Sequence, residues 1–116
     1  MSEKKVHKIL IVDDDPVSGQ LIQKRLEMRE FTTYLVTSGK SCLEEIQENT
    51  YDMILLDIVM PEMSGLEVLD KVRESRNTFE LPIIMVTSKS ETKDIVDALR
   101  RGANDYVTKP VNMDIA

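Results

Sequence analysis

Two rhythms of apolar residues alternate along the chain. The first is a set of short runs: "KILIVD" (8–13), "DMILLD" (52–57), "LPIIMVT" (81–87) and "DYVT" (105–108). The first three are almost continuously apolar and rich in branched side chains, the pattern of parallel strands covered on both faces. A fifth run, "TTYLVT" (32–37), is less apolar and reads as an edge strand. The second rhythm is helical. Val17, Leu21, Ile22 and Leu26 form the apolar set of a first helix, with Asp15 as N-cap and Pro16 in its first turn. Cys42, Leu43 and Ile46 mark a second helix. Gly65, Val68, Leu69 and Val72 mark a third, preceded by Ser64 and Glu67 at capping-box spacing. Ile95, Val96 and Leu99 mark a fourth, closed by Arg100, Arg101 and Gly102: cations at the negative end of the helix dipole, then a residue suited to a left-handed turn.

Strands alternating with helices at these lengths predict βαβ units with right-handed crossovers, hence an α/β, doubly wound parallel sheet. Such sheets bind ligands beyond the carboxyl ends of their strands. Those ends are chemically rich here. They carry Asp13-Asp14-Asp15 after the first strand, Asp57 after the third, Thr87-Ser88 after the fourth and Thr108-Lys109-Pro110 after the fifth. A charge at the tip of a buried strand such as Asp57 is costly in a core and expected at a ligand edge.

Composition narrows the function. With 116 residues the expectation is one domain spanning 1–116. No apolar run nears the ~20 residues that cross a bilayer, and "MSEKKVHK" lacks a signal-peptide core. A single cysteine, Cys42, permits no internal disulfide, which fits a reduced, cytoplasmic setting. A net charge of -6 and a pI near 4.8 oppose direct nucleic-acid binding and favour a divalent cation or a basic partner surface.

Carboxylates converging on one cleft repel one another, and such oxygen-rich sites favour a hard cation such as Mg²⁺. A lysine opposite them and a nearby hydroxyl add donors for a phosphoryl group. A carboxylate beside Mg²⁺ can attack phosphorus to form an aspartyl-phosphate.

The motifs "VDDDP", "DIVMPEMSG", "VTS" and "TKP", in that order and at these spacings, make the chain resemble a response-regulator receiver domain of two-component signalling. The resemblance covers nearly the whole sequence and implies strand order 2-1-3-4-5. It implies Asp57 as phosphoacceptor and Asp14 as a direct Mg²⁺ ligand. It also implies Asp13 as a neighbouring acid acting through water and the Val59 backbone carbonyl as a third protein ligand. Lys109 corresponds to the phosphate-binding lysine, Thr87 to the hydroxyl that moves toward the phosphoryl group and Tyr106 to the aromatic that follows it. The implied partners are a histidine kinase or phosphotransfer protein and a downstream output domain or target, with room for a homodimer. The chain is then a signalling domain rather than an enzyme, with no membrane contact. The Lys109–Pro110 bond is expected to be cis. Because "VNMDIA" supplies little more than one turn, the family's fifth helix is expected to be largely missing.

The sequence departs from the family at Ser88, where a small Ala is usual, and at Asp15, where Glu is more frequent. Taken singly, several residues have ordinary roles: Asp15 as a helix cap, Lys109 as a surface lysine, Tyr106 as strand packing, Thr87 as a turn cap. His7 reads as solvated and Cys42 as a small core residue. Two alternatives stand beside the signalling reading. An Mg²⁺-dependent phosphatase with an aspartate nucleophile needs a second acid two residues on, where this chain has Val59. A nucleotide-binding domain needs a Gly-rich loop where this chain has three aspartates.

Overall fold

A computed structural model describes residues 7–88 and 92–109. Five strands, β1 (Lys8–Val12), β2 (Thr32–Val36), β3 (Met53–Asp57), β4 (Ile83–Thr87) and β5 (Asp105–Thr108), form one parallel sheet in the order β2-β1-β3-β4-β5. Four helices connect them: α1 (Pro16–Glu27), α2 (Gly39–Glu48), α3 (Gly65–Arg73) and α4 (Thr92–Arg100). The doubly wound sheet and its strand order are those expected. The strands are shorter than their apolar runs, because Asp13 leaves the β1 ladder and Leu81-Pro82 precede β4. The segment after Lys109, with the expected fifth helix and the Lys109–Pro110 bond, lies outside the described residues.

Side chains alternate between the two faces along each central strand. Leu10, Val12, Ile54, Leu56, Ile83 and Met85 point into one buried cluster with Cys42, Ile46, Val68, Leu69, Val72 and Ala98 from α2, α3 and α4. Ile9, Ile11, Leu55 and Val86 point the other way, against Ile22 and Leu26 of α1. Both faces are apolar, which is why these strands read as unbroken runs rather than as an alternation.

The helix ends form as their sequences predict. The Asp15 side chain accepts from the Val17 N–H, and Ser64 with Glu67 completes a capping box at α3. At the end of α4, Gly102 sits at φ +108°, while Ala103 N donates to Ala98 O and Gly102 N to Leu99 O. That is the Schellman arrangement, and Gly removes its steric cost. The end of α1 has the same pair of bonds, Phe31 N to Leu26 O and Glu30 N to Glu27 O, but places Glu30 in the left-handed region at φ 73°.

Two helix faces differ from expectation. On α1, Ile22 and Leu26 are buried while Val17 and Leu21 are 64% and 57% exposed. At about 100° per residue these are separate stripes, roughly 140° apart, and only one can face the sheet. On α4, among the residues whose burial is described, the buried position is Ala98, and Val96 and Leu99 are turned outward.

Candidate functional site

The carboxyl ends of β1, β3, β4 and β5 meet at one edge of the sheet, and they carry every residue singled out there. Asp13 follows β1 and is buried; Asp14, next along, is exposed. Asp57 is the last residue of β3 and is buried. Carboxylate oxygens of Asp13, Asp14 and Asp57 all lie within 4.8 Å of one another. Into this group reaches Lys109, whose Nζ donates to Asp13 Oδ2 at 2.9 Å and to Asp57 Oδ2 at 3.2 Å. Lys109 bridges the two buried acids and offsets their mutual repulsion.

The backbone holds each partner. Lys109 N donates to Thr87 O at 2.9 Å, tying the lysine to the end of β4. Asp15 N donates to Asp13 Oδ1 at 3.0 Å, and Val59 N approaches Asp57 Oδ1 at 3.4 Å. The Val59 side chain points outward, with half its surface exposed. These backbone donors have no signature in the sequence, because any residue type supplies them.

The charges shift accordingly. Burial lifts the Asp57 carboxyl above its ordinary range; Lys109 draws it down by charge and hydrogen bond, Asp13 pushes it up again, and the net direction is upward. Burial alone works against the Lys109 ammonium, but the hydrogen bond to Asp13 and the charge of Asp57 outweigh it and raise its pKa. Cys42 lies elsewhere, fully buried, and its thiol is pushed up to about 12 by burial and Glu45, so it offers no thiolate for chemistry.

Thr87 is the fully buried last residue of β4, one position beyond Val86, which pairs with Asp57. Tyr106 pairs with Met85 and Thr108 with Thr87, so Tyr106 lies one pleat deeper than Thr87 on the neighbouring strand. Met85 belongs to the larger cluster and half-buried Tyr106 packs against it, which puts Thr87 and Tyr106 on the same face. Ser88 is exposed.

In the sequence Gly65 stands on a helix face and closes the motif "DIVMPEMSG", with no role of its own. In the structure a Cβ there would fall 2.0 Å from the Asp57 carbonyl oxygen and 2.9 Å from Ile58 Cα. The helix starts against the peptide that carries Asp57.

A family model described as response regulator receiver domain matches residues 9–115, and the chain belongs to that family. Response regulator ArlR of Staphylococcus saprophyticus is 40% identical over 107 residues, covering 92% of this chain and 47% of that protein. Transcriptional regulatory protein DltR of Streptococcus agalactiae is 42% identical over the same length, with the same coverage. The chain therefore spans about half the length of the curated relatives it matches. Among solved structures, a Francisella response regulator receiver domain superposes with a TM-score of 0.85 at 31% identity, covering 94% of this chain and 88% of that one. A two-component response regulator from Clostridium difficile gives 0.87 at 31% identity with the same coverage. This is a receiver domain of two-component systems, with a flavodoxin-like fold and an acidic cluster able to hold a metal. No helix among the described residues is long and apolar enough to cross a membrane.

Proposed function

We propose that this domain accepts a phosphoryl group on Asp57 from the phosphohistidine of a histidine kinase or phosphotransfer protein, and that the modification changes the surface it offers to an output domain or target. The observation that carries this reading is the lysine-bridged pair, Lys109 Nζ at 2.9 Å from Asp13 and 3.2 Å from Asp57, beside Asp14. The donor set is all oxygen and suits a small hard cation. Asp13, Asp14, Asp57 and the Val59 carbonyl would hold Mg²⁺, which when bound neutralises charge on the acids and on a phosphoryl group.

Each side chain then has a task. Ionised Asp57 forms the new P–O bond with one carboxylate oxygen as the P–N bond of the phosphohistidine breaks, and the departing imidazole keeps the bonding pair and takes a proton from water. Lys109 turns from the carboxylate toward the added phosphoryl oxygens, exchanging one charge-assisted hydrogen bond for another. Thr87 donates its hydroxyl to the same group, and the space it leaves admits the Tyr106 ring on the shared face. This two-state rearrangement links the modified acid to the surface around α4 and β5.

Val59, two residues after Asp57, has no proton to give a leaving group, which favours an acceptor domain over an aspartate-nucleophile phosphatase. The domain acts as a signalling module rather than a turnover enzyme, in the cytoplasm, without contacting nucleic acid itself. The test is intact mass after incubation with acetyl phosphate, with and without Mg²⁺. One Mg²⁺-dependent phosphoryl adduct is expected, absent in Asp57→Asn; an adduct that persists in that variant refutes the assignment.

A further inference from the structure

Gly65 lies outside the acidic cluster and carries no side chain, yet it packs against the peptide that follows Asp57. It is the first residue of α3, and its N–H donates to the Ile58 carbonyl at 2.8 Å. That bond closes residues 58–65 into a ring that contains Val59. On the inner side of the ring the Gly65 Cα rests on the peptide joining Asp57 to Ile58. A Cβ at this position would lie 2.0 Å from the Asp57 carbonyl oxygen, 2.8 Å from its carbon and 2.9 Å from Ile58 Cα. All three neighbours are backbone, so none can rotate away.

The other close approaches differ in kind. A Cβ at Gly39 would meet the Val68 and Met63 side chains, and one at Gly19 would meet Leu35; these can swing to new rotamers. Only at Gly65 must a strand terminus or a helix terminus move. Relief requires a displacement of about an ångström, since real Cβ contacts fall essentially never below 3.0 Å. The displaced peptide lies between the Asp57 carboxylate and the Val59 carbonyl, whereas Asp13 and Asp14 belong to the loop after β1 and do not move with it. The spacing between the two halves of the acidic cluster therefore depends on how closely α3 sits on β3, and ligand sets tolerate misplacement of only about 0.5 Å.

From this geometry we infer that Gly65 is a positioning residue for the metal-binding half-site. By letting α3 start in contact with the Asp57–Ile58 peptide, it sets the distance between the Asp57 and Val59 oxygens and those of Asp13 and Asp14. The inference rests on the proposal that these groups hold Mg²⁺. The flanking residues support the placement. The Ser64–Glu67 capping box fixes the start of α3 along its axis, and buried Val68, Leu69 and Val72 fix its face, so the helix cannot drift to accommodate a methyl group.

The test is Mg²⁺ affinity of the folded chain, measured by calorimetry on wild type, Gly65→Ala and Val72→Ala. Val72→Ala lowers stability by removing core volume from the same helix without adding an atom near Asp57. Gly65→Ala is expected to weaken Mg²⁺ binding at least tenfold, the usual scale for disturbing groups that orient metal ligands. Val72→Ala should bind as wild type does. Equal affinity in Gly65→Ala and wild type overturns the positioning role while leaving the functional proposal intact, and so does equal weakening in both variants. A wild type that binds no Mg²⁺ overturns both. If Gly65→Ala is unfolded in buffer, the titration is run in trimethylamine N-oxide, which favours the compact state. Failure to fold there also overturns the inference, because the strain would then be spread through the core instead of taken up by the ligand loop.

Discussion

Arg73 Nε donates to the Gly102 carbonyl at 2.8 Å, joining the last turn of α3 to the loop that follows α4. The rest of the guanidinium continues the bridge. Nη1 donates to the carbonyls of Arg76, Asn77 and Leu81, and Nη2 to Asn104 Oδ1. Asn104 in turn accepts from Ile83 N and donates to the Thr78 carbonyl. One planar cation thus gathers three segments at the amino-terminal edge of the sheet, opposite the acidic cluster. Burial lowers the pKa of this arginine, the cost of holding it there.

Arg73→Lys should therefore not be conservative. A lysine has the charge but not the fork, and several of these carbonyls lose their partner. The expected loss is about 2 kcal/mol, the scale of hydrogen bonds to a charged group, read as a lowered denaturant midpoint with an unchanged slope. A midpoint equal to wild type would show that water replaces the guanidinium at no cost.

Much of this was legible beforehand, for a physical reason. Strands buried on both faces must be continuously apolar, so β1, β3 and β4 declared themselves, and their ends declared the edge where Asp13, Asp57 and Lys109 meet. α3 was equally clear, because its caps and its Val68, Leu69 and Val72 stripe agree. What failed was the facing of α1 and α4. Val17 and Leu21 are as apolar as Ile22 and Leu26, and hydrophobicity alone does not say which of two stripes a sheet will cover. Arg73 gives no signal for another reason: its importance lies in carbonyls brought near from separate loops. Gly65 closes the motif "DIVMPEMSG", but nothing in the sequence shows its contact with the Asp57–Ile58 peptide.

Asp57 ties the site to stability. Its raised carboxyl pKa means the folded chain holds this proton at a higher pH than the unfolded chain does. That contribution is fully present below the unfolded value of about 3.9 and is lost as pH rises through the folded value. In Mg²⁺-free buffer at neutral pH, Asp57→Asn should melt higher than wild type, with the gap closing toward pH 3.5, near that unfolded value. Added Mg²⁺ should raise the wild-type melting temperature more than that of the variant. A gap that is constant across pH contradicts the upward direction of the shift.

Glu62 sits at φ 67° in the loop between β3 and α3, a conformation that costs a residue with a Cβ about 1 kcal/mol. Glu62→Gly should recover most of that strain, less the greater freedom of glycine in the unfolded chain, for a net gain of about 0.5 kcal/mol. The converse change at Gly102, held at φ +108° with the Arg73 side chain 3.1 Å from where a Cβ would stand, should destabilise. Chemical denaturation of the two variants gives both signs, and a destabilised Glu62→Gly would mean that its side chain matters more than its backbone.

The two stripes of α1 give the sharpest contrast in packing. Ile22 is 6% exposed and belongs to the cluster with Ile9, Ile11, Leu55 and Val86, so Ile22→Ala removes buried methyl groups and leaves a void. The expected cost is about 2–5 kcal/mol, a large part of the stability of a domain this size. Leu21 lies on the same helix one residue earlier, yet more than half its surface is exposed, and Val17 is more exposed still. Replacing both with serine removes little buried area, and serine lowers helix propensity only slightly. The double variant Val17→Ser, Leu21→Ser should therefore change stability by less than about 1 kcal/mol, against the larger loss from Ile22→Ala alone. Urea denaturation of this chain followed by circular dichroism distinguishes the two cases. If the double variant is destabilised as much as Ile22→Ala, the outward stripe is buried in solution, and the facing of α1 described here is wrong.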